Sequence, residues 1–218
     1  DITYYVRAYA INSDGTSYGG QEEFAIEIGE VYNPSTGEIW MDRNLGATRV
    51  ATSSIDEEAY GDLYQWGRAA DGHQLRTSDI TSTLSNSDNP GHGDFIIAPE
   101  EPYDWRSPHN ENLWQGVNGI NNPCPPGFRI PTEDELKAEM NSWSSKDAAA
   151  AFEAPLKWVL GGSRDEKDGT INYETTHGFY WNSFGLSNFS GFMAIHVDNA
   201  YTNYSNRARG MSIRCIKD

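Results

Sequence analysis

Asn122-Pro123-Cys124-Pro125-Pro126-Gly127-Phe128-Arg129-Ile130-Pro131-Thr132-Glu133-Asp134-Glu135-Leu136 is the stretch whose reading decides the fold. Three of its first five residues are prolines, which stiffen the approach and keep it out of helix. Phe128-Arg129-Ile130 alternates apolar and polar residues, enough for one short strand, and Pro131-Thr132 stops it. Thr132 then stands as a helix N-cap with Glu135 three residues on, the spacing of a capping box. Asp134 and Glu135 add negative charge where the helix dipole favours it. The spacing predicts a helix from Glu133 to about Trp143, with Leu136, Met140 and Trp143 turned inward. Of the two cysteines, Cys124 lies in this stretch. Cys215 lies in Met211-Ser212-Ile213-Arg214-Cys215-Ile216, whose alternation reads as a last strand.

Working outward, 218 residues suffice for one sizeable domain, or for a domain plus a fragment. Hydrophobic content is only 37%, but seven Trp, twelve Tyr and eight Phe can fill a core with few residues. Gly, Asn, Ser and Pro are spread along the chain, which predicts loops laid over a modest scaffold. The formal net charge is -16, with the acidic residues scattered, as on a solvated surface. A nucleic-acid partner is disfavoured because there is no basic patch to release counterions, and attraction to anionic lipid fails for the same reason. No apolar run approaches the ~20 residues of a membrane span, and no signal peptide is present. The opening Asp1-Ile2-Thr3-Tyr4 reads as cut from something longer. Two cysteines allow one pairing; the alternative is two buried free thiols. The composition, that of secreted modules, favours the bridge.

Along the chain, Thr3 to Ala10 is rich in β-formers, Asn12-Ser13-Asp14-Gly15 is a turn, and Gly20 to Ile28 supplies a second strand with Phe24, Ile26 and Ile28 on one face. An isolated hairpin is marginal in water. Glu30 opens a second unit: Val31-Tyr32 and Glu38-Ile39-Trp40-Met41 flank the turn Asn33-Pro34-Ser35-Thr36-Gly37. Residues 48–59 read as loop or short helix, and Leu63 to Arg68 as strand or one buried turn. From Ala70 to Asn122 periodicity is lost, and Phe95-Ile96-Ile97, Trp105, Leu113 and Trp114 stand as isolated anchors. So long an irregular segment is either folded down by those aromatics or functional. Later, Asp147 to Glu153 reads as helix, and Lys157-Trp158-Val159-Leu160 as a strand broken by Gly161-Gly162. Gly178-Phe179-Tyr180-Trp181 and Gly191 to Val197 are strands, and Asp198 to Arg209 is a polar loop.

Tyr4-Tyr5-Val6-Arg7-Ala8-Tyr9-Ala10 with Ser17-Tyr18-Gly19 resembles the last two strands of a fibronectin type III or related immunoglobulin-like domain. On that likeness, residues 1–29 are the tail of an upstream sandwich and 30–218 a separate domain. An ordered set of pieces then covers roughly 30–218: Glu38-Ile39-Trp40-Met41-Asp42-Arg43-Asn44-Leu45, Leu63-Tyr64-Gln65-Trp66-Gly67, Asp104-Trp105-Arg106, Asn112-Leu113-Trp114, Pro123 to Thr132, Phe179-Tyr180-Trp181-Asn182-Ser183 and Arg209 to Cys215. Together they resemble the Fibrobacter succinogenes major paralogous domain family, which is similar to C-type-lectin-like folds. The resemblance implies an α+β, C-type-lectin-like domain on a surface-exposed or lipid-anchored protein of a gut-type bacterium. It also implies an extracellular or outer-surface location, with anchoring through upstream sequence. A similar C-terminal pattern in the variable proteins of diversity-generating retroelements implies a ligand face formed by the last strands and their loop.

The candidate ligand-binding residues are Trp181, Asn182, Phe184 and Asn188, together with Tyr201, Asn203, Tyr204, Asn206 and Arg207 in the polar loop. Aromatics give contact area at small entropy cost and amides give adaptable hydrogen bonds; the competing reading is an ordinary polar loop beside core aromatics. No metal or other cofactor is expected. The triplets with which calcium lectins hold their ion are absent, and Arg164 and Lys167 interleave the Asp165, Glu166, Asp168 cluster. None of His73, His92, His109, His177 and His196 pairs with another at i+2 to i+4, and His196 reads as a packed or solvent-facing strand residue. A nucleophile elbow is also lacking. The expectation is therefore non-catalytic binding of glycan or surface protein, the alternatives being an enzyme acting on polysaccharide or a structural module of a stalk or pilus-like assembly.

Overall fold

The computed structural model describes residues 3–13, 15–25 and 29–218. β1 (Thr3–Asn12) and β2 (Gly15–Ala25) pair antiparallel in a sheet of their own. Asp14 of the expected turn, and Ile26 and Ile28 of the second strand, lie outside the described residues. The next hairpin, β3 (Glu30–Tyr32) and β4 (Ile39–Met41), is the one expected around Asn33 to Gly37. β5 (Tyr64–Gln65), β6 (Ile80–Thr81), β7 (Phe95–Ile96) and β8 (Phe128–Arg129) follow as very short strands, then helices α1 (Glu133–Asn141) and α2 (Ala148–Glu153). The chain ends with β9 (Gly161–Arg164), β10 (Ile171–Glu174), β11 (His177–Leu186), β12 (Phe189–His196), β13 (Ala200–Asn206), β14 (Gly210–Met211) and β15 (Ile216–Lys217).

The architecture is mostly β with two short helices, α+β in kind, and built from several antiparallel and mixed sheets. The principal sheet has the order β13-β12-β11-β9-β14-β5, with β10 also paired to β9. A second sheet has the order β3-β4-β15-β8, and β6 and β7 form a small parallel pair. The capping box forms: Thr132 Oγ1 accepts the Glu135 N–H at 3.2 Å and Glu135 Oε2 accepts the Thr132 N–H at 2.7 Å. Leu136, Met140 and Trp143 are buried as their spacing requires, although the helix stops at Asn141.

All seven tryptophans are buried. Trp66, Trp105, Trp114 and Trp181 lie in one core cluster with Phe179, Phe192 and Ile213. Trp40, Trp143 and Trp158 lie in another with Leu136, Tyr180, Met193 and Ile195. Successive residues of β11 and β12 thus feed opposite clusters, and the principal sheet is covered on both faces, as the period of two in a strand demands. The irregular stretch 70–122 is folded down by its anchors: Phe95, Ile96, Trp105, Leu113 and Trp114 are all buried.

Three expectations need correction. The last strand is not continuous over 211–216: β14 belongs to the principal sheet and β15 to the second. The chain changes sheets at Arg214, whose buried guanidinium donates to Asn44 Oδ1 at 2.9 Å and to the Leu156 carbonyl at 2.7 Å. Lys157 to Leu160 is not a strand. The Val159 N–H donates to the Tyr180 hydroxyl, and the Leu160 N–H to the Ser54 carbonyl. The strand is instead β9, on the glycines read as its breaker; Gly162 adopts φ +71° where an added Cβ would meet the Asn172 carbonyl oxygen at 2.4 Å. Finally, Asp198 to Arg209 is not a loop, because Ala200–Asn206 is the strand β13.

Cys124 and Cys215 are joined in a disulfide with their Cα atoms 6.0 Å apart, which ties the proline-rich approach to the segment entering β15. The bridge spans 91 residues. In the chain-entropy account, closing so long a loop stabilises the fold by about 4 to 5 kcal/mol. The double substitution Cys124→Ser, Cys215→Ser is therefore expected to lower the unfolding free energy by about that much. Guanidinium denaturation of the oxidised protein and the variant measures it, and a loss below about 1 kcal/mol would show that the loop is already closed by other contacts.

Candidate functional site

The expected ligand residues fall on β11, in the turn that joins it to β12, on β13 and just after it, and the register of the three strands decides how they are disposed. β11 opposes β12 with Phe179 across from Ala194, Trp181 across from Phe192 and Leu186 across from Phe189. β12 opposes β13 with Phe192 across from Asn203, Gly191 from Tyr204 and Ala194 from Tyr201. β13 is the outer strand of the sheet among the described residues. Residues directly opposite share a face and successive residues alternate. Tyr201 and Asn203 therefore lie on one face, and Tyr204 and Asn206 on the other.

Three of the expected ligand residues are interior. Trp181 is fully buried and its Nε1–H donates to the Tyr64 carbonyl at 2.7 Å. Asn182, also fully buried, accepts the Phe184 N–H on Oδ1 at 2.9 Å. Arg207 is 1% exposed; it lies 4.4 Å over the Trp66 ring, donates to Ser190 Oγ and the Asn110 carbonyl, and stands 3.7 Å from Asp104 Oδ2. These side chains hold the sheet from behind and present nothing outward. An added Cβ at Gly185 would meet Trp66 Cη2 at 2.7 Å and Arg207 Nη2 at 2.8 Å, so the strand lies flat on this pair.

The outward residues form two groups. Phe184 and Tyr204 meet with ring centroids 5.5 Å apart, both well exposed. Leu186 and Phe189, exposed by 60% and 49%, share the Tyr204 face at the hairpin tip. These two were not among the expected ligand residues, because single apolar residues at strand ends carry no periodicity. Asn188 is half-buried at the same tip. Asn206 is committed inward, its Nδ2 donating to Glu166 Oε1 at 3.0 Å. The second group lies on the reverse face, where Tyr201 packs on His196 at 5.4 Å and the exposed Asn203 receives the Tyr204 N–H on its side-chain oxygen.

The acidic cluster has partners of its own: Glu166, nearly buried, accepts from Arg209 Nε at 2.8 Å, and Asp165 stands 3.6 Å from the same guanidinium. Burial pushes the His73 imidazole down to about 4, with Asp71 opposing the shift. Its Nε2 accepts the Gln65 N–H, so His73 serves as a neutral acceptor inside the core. Burial raises the Asp104 carboxyl to about 6, against the pull of Arg207, and its Oδ2 has no hydrogen-bond partner. Comparison with protein-family models, with curated proteins and with solved structures finds no match for this chain.

Asp104 generates a pH prediction. Its folded pKa lies above the unfolded value near 3.8, so the folded state holds the proton more tightly. Its contribution to stability is greatest below about pH 4, declines as pH rises, and levels off above about pH 6. Relative to Asp104→Asn, the parent protein is expected to lose roughly 2 to 3 kcal/mol between those limits. Parallel urea melts of the two proteins across that range measure the difference, and parallel stability curves would show that Asp104 does not titrate there.

Proposed function

We propose that this chain is a non-catalytic binding module whose ligand surface is the tip of the β11–β12 hairpin with the outer strand β13. The observation that carries the reading is the exposed group Phe184, Leu186, Phe189 and Tyr204 on one side of the sheet at the hairpin tip. Contiguous apolar surface of this kind marks an interaction site more often than chance exposure. Aromatic anchors over a rigid base also have the composition of an interface centre. The base is rigid because Trp181, Asn182 and Arg207 beneath it are buried and hydrogen-bonded through Trp181 Nε1, Asn182 Oδ1 and Arg207 Nε and Nη1.

A protein partner is favoured over a glycan. Sugar rings need amides or carboxylates beside the stacking ring, but the amide of Asn206 is already spent on Glu166. The two exposed rings are also tilted by 50° and so make no flat platform. The C-type-lectin-like fold and the resemblance to the Fibrobacter succinogenes major paralogous domain family belong to the same proposal. They draw support from the mixed α+β architecture, the tryptophan-anchored irregular segment and the bridge to the end of the chain. The β1–β2 hairpin, paired only with itself among the described strands, supports reading it as the tail of an upstream sandwich. An outer-surface location is supported by the disulfide, which persists in oxidising compartments. No helix among the described residues is long and apolar enough to cross a membrane.

The test is a screen of the purified chain against arrays of extracellular protein domains and of glycans, followed by variants. Phe184→Ala, Phe189→Ala and Tyr204→Ala are each expected to weaken a captured protein ligand roughly tenfold or more, the scale of a hot-spot residue. Tyr201→Ala, on the opposite face, should leave it unchanged, and melting temperatures should stay near the parent value. Binding indifferent to all three tip variants would overturn the proposed surface. Capture by glycans alone, lost on the same variants, would keep the surface and replace the partner class.

A further inference from the structure

The reverse face of the sheet carries a row of rings that the ligand reading leaves unused. His177 and His196 stand directly opposite each other across β11 and β12, with ring centroids 4.0 Å apart. Tyr173 flanks His177 at 5.0 Å and Tyr201 flanks His196 at 5.4 Å. The two histidines are 19 residues apart, so no local motif announces them; the hairpin register alone brings them together.

The hydrogen bonds around His177 fix its tautomer. Thr176 Oγ1 donates to the Tyr173 carbonyl at 2.9 Å, which leaves it an acceptor toward the imidazole. His177 Nδ1, 2.8 Å away, is therefore the protonated nitrogen, and Nε2 keeps its lone pair. Across the strand, His196 Nε2 is shielded from solvent and has no hydrogen-bond partner. The main chain of His196 is held by its N–H bond to the Asn199 carbonyl at 2.7 Å. A shielded polar nitrogen without a partner is costly and calls for something to satisfy it.

We propose that His177 and His196 form a two-imidazole site for a divalent transition ion of the zinc(II) or nickel(II) class. Neutral imidazole is the ligating form, and a hydroxyl or carbonyl on the other ring nitrogen is the support that ligating histidines commonly have. Burial and the neighbouring His196 both lower the His177 pKa, while Asp198 opposes them. The 64° between the rings closes by rotation about the terminal side-chain torsion, a broad degree of freedom for histidine. Among the described residues no third His, Cys, Asp or Glu completes a cluster. The shielded His196 Nε2 is uncovered as its ring turns, and water or an outside donor fills the remaining positions, so the ion exchanges as it would not in a closed structural zinc site.

The experiment is calorimetric titration of zinc(II), then nickel(II), into the tag-free chain at about pH 7.5. One ion per chain is expected. His177→Gln and His196→Gln should each weaken binding by roughly tenfold or more, and His92→Gln with His109→Gln should leave it intact. Binding should weaken as the pH falls, because protons compete for the ligating nitrogens. Should either glutamine variant fail to fold, imidazole nitrogen resonances of the parent protein decide the matter: zinc(II) should shift His177 and His196 together. Binding that persists in the folded His177→Gln variant, follows His92 and His109, or leaves both resonances unmoved overturns the site.

Discussion

Everything that positions the outer strands rests on an exchange of indole hydrogen bonds between two distant segments. Trp66 Nε1–H donates to the Asn182 carbonyl at 2.9 Å, and Trp181 Nε1–H donates to the Tyr64 carbonyl at 2.7 Å. Trp105 Nε1–H then donates to the Trp66 carbonyl at 2.7 Å. Each bond gives a main-chain carbonyl a buried indole donor, and each ring supplies apolar burial as well. Substituting any of these tryptophans therefore removes packing and a buried hydrogen bond, which puts the cost at the upper end of the roughly 3 to 5 kcal/mol typical of a lost core aromatic.

The same economy explains how the irregular stretch between β5 and β8 stays folded. Gln65 is fully buried and uses its amide completely: Nε2 donates to the Ile96 and Ala208 carbonyls, while Oε1 accepts from the Ile96 N–H and from Arg68. Trp114 and Asn121 do similar service, donating to the Asn121 and Gly67 carbonyls respectively. Buried backbone groups outside helices and strands must find partners, and here side chains supply them. The stretch is long but has little freedom, and Arg207 pins it to the end of β13 through the Asn110 carbonyl.

A second buried polar centre ties the helices to the second sheet. Glu139 accepts from Asn33 Nδ2 at 2.6 Å and from the indoles of Trp143 and Trp158. Arg214, its guanidinium 5.1 Å from the Trp158 ring, bonds Asn44 and Leu156, and burial lowers its pKa to about 10. Beside it, Cys215 carries the covalent link to Cys124. The closing segment is thereby held by charge-assisted hydrogen bonds and a covalent bond at adjacent residues, so it can leave one sheet and enter another without fraying.

Local chemistry was legible wherever a few neighbouring residues suffice. Thr132 and Glu135 specify a helix start whatever surrounds them, the alanine-rich Asp147 to Glu153 reads as helix, and apolar runs such as Phe192 to Ile195 make strands on their own account. With only two cysteines, one pairing was available. What the tertiary structure alone decided were matters of register and shielding. Tyr201 to Asn206 shows no alternation because an outer strand is half in water on both faces, so it read as loop until β12 was there to pair with it. Trp181, Asn182 and Arg207 have the residue types of a recognition surface, yet packing against Trp66 and Tyr64 turned them inward. Leu186, Phe189 and the His177–His196 pair became neighbours only when the hairpin closed. Sequence specifies propensities over a few residues; which side of a strand meets water is settled by what packs against it.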